Sequence, residues 1–175
     1  RTLAQMYEAA GDRAPALAHY ESICSLDSGD KTSLDAYIAL LEESGDLSAS
    51  LTWQSTRLQS AKGSISEDAY VDQAVSIAER YANELDDTDE CITRLVKLIR
   101  EFPSHHRAPA SLAQVRFRRE EWPKGIDVLK TALENIEDDE FVRHANVLMA
   151  GVYEENLNLP ARAIQCWERA KQLDP

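Results

Sequence analysis

The sequence predicts an all-α protein built from repeated helix pairs, and three observations predict it. Apolar residues recur at helical spacing on both sides of a Gly-Asp step, over Leu3–Asp27 around Gly11-Asp12 and over Leu34–Leu58 around Gly45-Asp46, the two glycines 34 residues apart. With turns placed at Gly11, Gly45, Asp86, Glu120 and Asn158, the residue five positions on is small each time: Ala16, Ser50, Cys91, Gly125 and Ala163. A large side chain there would wedge the two helices of a pair apart. Glycine and proline together make only 12 of 175 residues, too few for the closely spaced turns of a sandwich or barrel.

Ten helices follow in order. The first spans residues 2–10 and ends at Gly11. The second, 13–26, has Asp12 as candidate N-cap and tolerates Pro15 in its first turn; Ile23 and Leu26 share a face. The third, 31–43, carries Tyr37 and Leu41 on one face and stops at Gly45. The fourth, 47–60, runs into the polar connector Ala61–Glu67, which absorbs the seven extra residues in the 41-residue spacing from Gly45 to Asp86. The fifth spans 67–84. The sixth, 87–101, opens on Thr88-Asp89-Glu90, where carboxylates suit the helix dipole, and stops at Phe102-Pro103. In the seventh, 107–119, Leu112 and Phe117 imply registers one residue apart. The eighth, 122–136, begins at Trp122-Pro123. The ninth spans 139–156, and the acidic stretch Glu137–Glu140 or a longer helix accounts for the four extra residues before Asn158. The tenth, 160–173, aligns Ala163, Trp167, Ala170 and Leu173. Tyr7, Tyr20, Tyr37, Trp53 and Trp167 fall on interior faces, where core packing is their role.

Gly11, Ala16, Tyr20, Ile23 and Leu26-Asp27-Ser28 in the first unit, and Asn158, Ala163, Trp167, Ala170 and Leu173-Asp174-Pro175 in the last, resemble the tetratricopeptide repeat, a helix–turn–helix unit of 34 residues. The resemblance implies an α-solenoid of about five antiparallel helix pairs forming a right-handed superhelix, a single array over 1–175 with units near 1–30, 31–64, 65–105, 106–138 and 139–175. In the second unit Gln54 and Arg57 stand where the family prefers an aromatic residue and Ala, and Trp53 suggests a slip of one residue. Arg1 starts inside a helix and Pro175 falls at a stop signal, so the chain reads as a piece of a longer array with two uncapped ends through which it could self-associate.

Several function classes are excluded. Lys plus Arg is 19 and Asp plus Glu is 31, a net charge of −12 and a pI near 4.7. Such a body repels phosphate backbones and anionic lipid, so neither nucleic acid nor membrane is expected as a partner. No run free of charged residues exceeds ten. Cys24, Cys91 and Cys166 form no metal or disulfide pattern and read as small buried residues in a reducing, cytoplasmic setting. His105-His106 reads as a solvated loop pair and His19 as a surface or packing residue. The adjacent acidic pairs point about 100° apart on a helix and make no facing dyad. With no GxSxG, HExxH, P-loop or GxGxxG, the chain reads as a non-enzyme without a cofactor.

The resemblance further implies a concave groove lined by first helices, and thus a protein-interaction module that scaffolds a complex by holding a peptide segment or partner subunit; the alternative is a structural spacer within a large assembly. The Lys and Asn clamp of the chaperone-binding subset is missing, since Arg1, Gln5, Asp35, Ala36 and Ala39 stand at the comparable places. Residues 92–130 carry nine basic and four acidic groups, a net of +5 in an otherwise acidic chain. Within them Arg107, Gln114 and Arg118 recur within about 20° of one line on a helix. Arg119 joins Arg118 in the other register, and Arg80 on the preceding first helix extends the stripe. Arginine grips carboxylates through paired hydrogen bonds, so the expected ligand is an acidic peptide segment.

Overall fold

The computed structural model describes residues 2–27 and 29–173, with the side chain of Thr2 excepted. Arg1, Ser28, Asp174 and Pro175 lie outside the described residues, and with them the ends of both predicted stop motifs. The described residues form ten helices and no strand: α1 Thr2–Ala10, α2 Arg13–Leu26, α3 Lys31–Ser44, α4 Leu47–Ala61, α5 Glu67–Glu84, α6 Thr88–Glu101, α7 Arg107–Arg118, α8 Trp122–Leu133, α9 Asp139–Gly151 and α10 Pro160–Gln172. No described helix is long and apolar enough to cross a membrane. The ninth helix does not run unbroken to Asn156. It widens over Val152–Asn156 into a π turn, in which Leu157 N–H donates to the Val152 carbonyl at 3.1 Å.

All five predicted turn residues hold the left-handed conformation: Gly11 at φ +78°, Gly45 at +81°, Asp86 at +55°, Glu120 at +58° and Asn158 at +51°. A helix reverses most tightly through one such residue, because the two amides that follow its last turn can then bond back to orphaned carbonyls. At three turns the closing amide reaches five residues back, Asp12 to Tyr7 at 2.9 Å, Asp46 to Leu41 at 3.0 Å and Glu121 to Arg116 at 2.9 Å. At the other two it reaches six back, Asp87 to Tyr81 at 2.9 Å and Leu159 to Tyr153 at 2.7 Å. The five small residues that follow are all buried.

The chain divides into two compact units, residues 1–87 and 88–175. In the first, each helix from α1 to α5 packs on the next. Its core holds Tyr20, Cys24, Leu34, Tyr37 and Leu41, with Trp53 edge-on to Tyr37 at 5.5 Å. Asp30, Asp46 and Ser66 cap α3, α4 and α5 by accepting the amides of Ser33, Ala49 and Ala69. Asp12 occupies the N-cap position of α2, but its carboxylate accepts no such bond.

The second unit packs α6 through α10 in the same sequential way around Ile126, Leu129, Phe141, Ala145, Met149 and Ala163. α7 and α8 approach closely at Gly125, where a Cβ would overlap the ring of Phe117. That ring is itself stacked on Trp122 at 6.1 Å.

Three expected burial states are corrected. Trp167 is 42% exposed and Ile164 is 56% exposed; Trp167 stands beside Arg143 and Val147 of α9 at the rim of a shallow cavity rather than inside the core. Leu26 is 90% exposed: it is the last residue of α2, past the reach of the core around Cys24. His105 is no solvated loop residue. It is 8% exposed, stacked on His106 at 5.3 Å, and His106 in turn leans on Phe141 of α9 at 6.0 Å.

Candidate functional site

The site starts from α7. The helix buries Ala108, Ser111, Leu112, Ala113 and Val115, which selects the register set by Leu112. Gln114 and Arg118 are left exposed and Arg107 half-exposed, so the structure brings these three onto one face. From Arg107 to Arg118 the stripe rises about 16 Å. At its start, His105 Nδ1 accepts the Arg107 amide at 3.3 Å and steadies the entry to the helix. Arg116 points elsewhere: it pairs with Glu121 across the Glu120 turn, and Lys124 reaches the same carboxylate at 3.1 Å. The hydrogen bonds from Arg116 and Lys124 hold the Glu121 carboxyl below the usual carboxylate range.

Arg119 lies one residue past the end of α7 and turns back to Asp89 on α6, so it is an intramolecular partner as well as a neighbour of the stripe.

Arg80 lies in the first unit, in a network that sequence reasoning missed. Its Nε and Nη2 donate to Glu84 at 2.7 and 3.1 Å, Nη1 donates to Gln54 at 3.0 Å, and Nη2 donates to Glu42 at 3.2 Å. Gln54 Nε2 donates in turn to Glu42 at 2.9 Å. One guanidinium thus ties α3 and α4 to α5, and its bonds hold the Glu84 carboxyl low. The signal was present: Glu84 stands at i+4 from Arg80, and Glu42 and Gln54 flank Gly45 at −3 and +9.

Among the described residues, no group of three or more His, Cys, Asp or Glu could hold a metal ion. The Cys24 thiol is pushed up by burial and by the nearby Asp30, and the Cys166 thiol by burial. Neither is poised as a nucleophile.

No family model matches the sequence, and no curated protein matches it. Solved structures do. MamA superposes on 98% of this chain and 94% of its own at TM-score 0.58, with 15% identity. A second MamA structure gives 0.55 with 18% identity, over 98% of this chain and 92% of that one. YrrB, described as a TPR protein with an unusual peptide-binding site, superposes on 98% of this chain and 83% of its own at 0.55, with 11% identity. The chain has the tetratricopeptide-repeat fold. Gln54 is in register with Tyr20 without a slip. Tyr20 and Gln54 both stand nine residues after a turn glycine and both donate to a glutamate three before it, Tyr20 to Glu8 at 2.7 Å and Gln54 to Glu42 at 2.9 Å. Arg57, at the position the repeat gives to Ala, is turned out to Asp35 at 2.9 Å.

Proposed function

We propose that the chain is a protein-interaction module, that residues 1–175 act as one array of five helix pairs, and that an acidic segment of a partner protein is held on the exposed face of α7. The observation that carries this reading is the row Arg107, Gln114, Arg118 along one face of α7, with Gln114 and Arg118 exposed and Arg107 half-exposed, in an acidic chain. Guanidinium forks match carboxylates, and a rigid helix fixes their spacing before the ligand arrives.

The test uses a fluorescein-labelled, glutamate-rich decapeptide as probe. Arg118→Glu is expected to weaken its binding by about tenfold or more at low salt, against less than about twofold for Arg94→Glu on α6, where Arg94 is paired with Glu90 at 2.8 Å. The loss should shrink as salt rises. Equal small losses from both variants leave only a diffuse field and reject the α7 site.

The commitment of Arg80 to Glu42 and Glu84, and of Arg119 to Asp89, favours a second reading, a spacer that sets distance within an assembly. Its signature is an absence of saturable binding in the same titration.

A further inference from the structure

Three cations on α8 and α10 stand apart from their neighbours in the second unit. In that unit Arg94 closes on Glu90, Arg116 and Lys124 close on Glu121, and Arg119 closes on Asp89. Lys130 on α8 and Arg162 and Arg169 on α10 form no ion pair among the described residues. Arg162 and Arg169 have no acid three or four residues away. Lys130 has Asp127 at −3 and Glu134 at +4, but its ammonium is turned to the ring of Tyr153 instead.

The geometry brings the three together. Lys130 Nζ stands 5.9 Å from the centroid of the Tyr153 ring, and the guanidinium carbon of Arg162 stands 5.8 Å from the same centroid. Tyr153 is buried in the π turn that ends α9, so one anchored ring orients both cations. Arg169 joins them through Cys166. Burial pushes the Cys166 thiol up, while Lys130 and Arg169 both draw it down. Arg162, Cys166 and Arg169 stand at i, i+4 and i+7 on one flank of α10, which places the two arginines about 10 Å apart along the axis with Cys166 between them. An arginine side chain reaches half that distance. Both guanidiniums can therefore converge over Cys166, with Lys130 facing them from α8.

The charge at that point sets the ligand. A single carboxylate would neutralise one cation of the three. A phosphomonoester carries close to two negative charges at neutral pH and offers three acceptor oxygens, one for each cation. We propose that Lys130, Arg162 and Arg169 form an anion site over Cys166 that takes a phosphomonoester dianion, supplied by a small free phosphate or by a phosphorylated side chain of a partner protein. The site uses no residue of α7 and does not depend on the acidic segment placed there.

Cys166 is a built-in reporter, being half-buried where Cys24 and Cys91 are buried. Its alkylation by iodoacetamide, a neutral reagent, is followed on the folded chain by mass spectrometry. The probes are inorganic phosphate and the blocked peptide acetyl-Ala-Ala-phosphoserine-Ala-Ala-amide, with the same peptide bearing Glu for phosphoserine as the monoanion control and sodium chloride matching the ionic strength. Both phosphates should slow alkylation saturably by about fivefold or more, because a bound dianion covers the thiol and opposes its ionisation, and the Glu peptide by less than about twofold. Phosphorus NMR reads binding directly. Arg162→Gln and Arg169→Gln, at exposed positions, should retain the parent helical spectrum and weaken binding by about tenfold each. Lys97→Gln, which removes an exposed cation of α6, and Arg118→Glu on α7 should leave it unchanged. Binding of the phosphopeptide should weaken as pH falls through about 6, where the dianion becomes a monoanion. A phosphopeptide that binds tighter than inorganic phosphate assigns the ligand to a phosphorylated protein segment, and inorganic phosphate that binds as tightly or more so assigns it to a small free phosphate. Four results overturn the site: no saturable slowing by either phosphate at millimolar concentration, equal protection by the Glu peptide, equal losses in Lys97→Gln and Arg162→Gln, or phosphopeptide binding that does not weaken in acid. Any of these would leave the glutamate-rich peptide on α7 untouched, since that titration is read through Arg118.

Discussion

The first unit reverses its first two helix pairs at Gly11 and Gly45, whereas the second unit turns at Glu120 and Asn158, yet all four residues hold φ between +51° and +81°. The helix crossing that follows is treated the opposite way. In the first unit Ala16 and Ser50 suffice there, but in the second unit Gly125 is required, because the Phe117 ring occupies the space of a Cβ. Glycine therefore serves the turn at Gly11 and Gly45 and the crossing at Gly125, while the last pair uses Asn158 and Ala163 and has glycine at neither place. Charge differs as well. The second unit has thirteen cations against fifteen carboxylates, a net of −2, while the first has six against sixteen, a net of −10.

Substitutions at the crossing break this comparison most strongly. Gly125→Ala should destabilise the protein by about 1–3 kcal/mol through overlap with Phe117, and Gly125→Leu by more. Ala163→Leu, at the same offset in the last pair, should cost about 1–3 kcal/mol. Thermal melts followed by circular dichroism measure both. Phe117→Leu placed in the Gly125→Ala background should recover part of the loss, because the ring and the added methyl compete for one volume. If Gly125→Ala melts like the parent, the close crossing is not what holds α7 on α8.

Substitutions at the turns come next. Glu120→Gly should stabilise by about 1 kcal/mol, since glutamate gains nothing from the left-handed region and glycine enters it freely. Asn158→Gly should gain less, asparagine being the better tolerated there. Gly45→Ala should lose about 1 kcal/mol. Urea denaturation of the three variants gives the order. Stabilisation by Gly45→Ala would contradict the turn geometry.

These residues also show what was legible in the sequence. The turns and small residues were readable because each is a constraint on backbone geometry, which few residue types satisfy and which a fixed offset repeats. The stripe on α7 was readable once Leu112 set its register. The Arg80 network was legible only in part: Glu84 stands at i+4, but Gln54 and Glu42 lie 26 and 38 residues away on other helices, and their convergence on Arg80 comes from packing. His105 was misjudged for a similar reason: its cover is the His106 ring backed by Phe141, from the start of another helix. Trp167 followed the repeat pattern, but burial needs a neighbour that helical periodicity alone does not supply. The π turn at Val152–Asn156 left no mark beyond a four-residue surplus in spacing.

The smallest expected effect is on acid stability, and it compares one carboxyl from each unit. Glu84 is held low by its hydrogen bonds from Arg80, and Glu121 by those from Arg116 and Lys124. For a carboxyl that is more acidic in the folded chain than in the unfolded one, the stabilisation is complete above the unfolded value, about 4.3 for glutamate, and disappears as pH falls through the folded value. Glu84 is exposed and Glu121 partly so, and each contribution is modest and weakens with salt. In variants that keep a single tryptophan, the others replaced by Phe, Trp53 reports on the first unit and Trp122 on the second during acid titration. Arg80→Gln should flatten the low-pH limb seen by Trp53 and leave that of Trp122 unchanged, and Arg116→Gln should do the reverse. A parent protein that gains stability as pH drops from about 5 to below 4 would show that these pairs do not govern the acid limb. If either variant flattened both limbs together, the two units would be coupled in acid, and the Arg80 and Arg116 networks could not be treated as independent local ties.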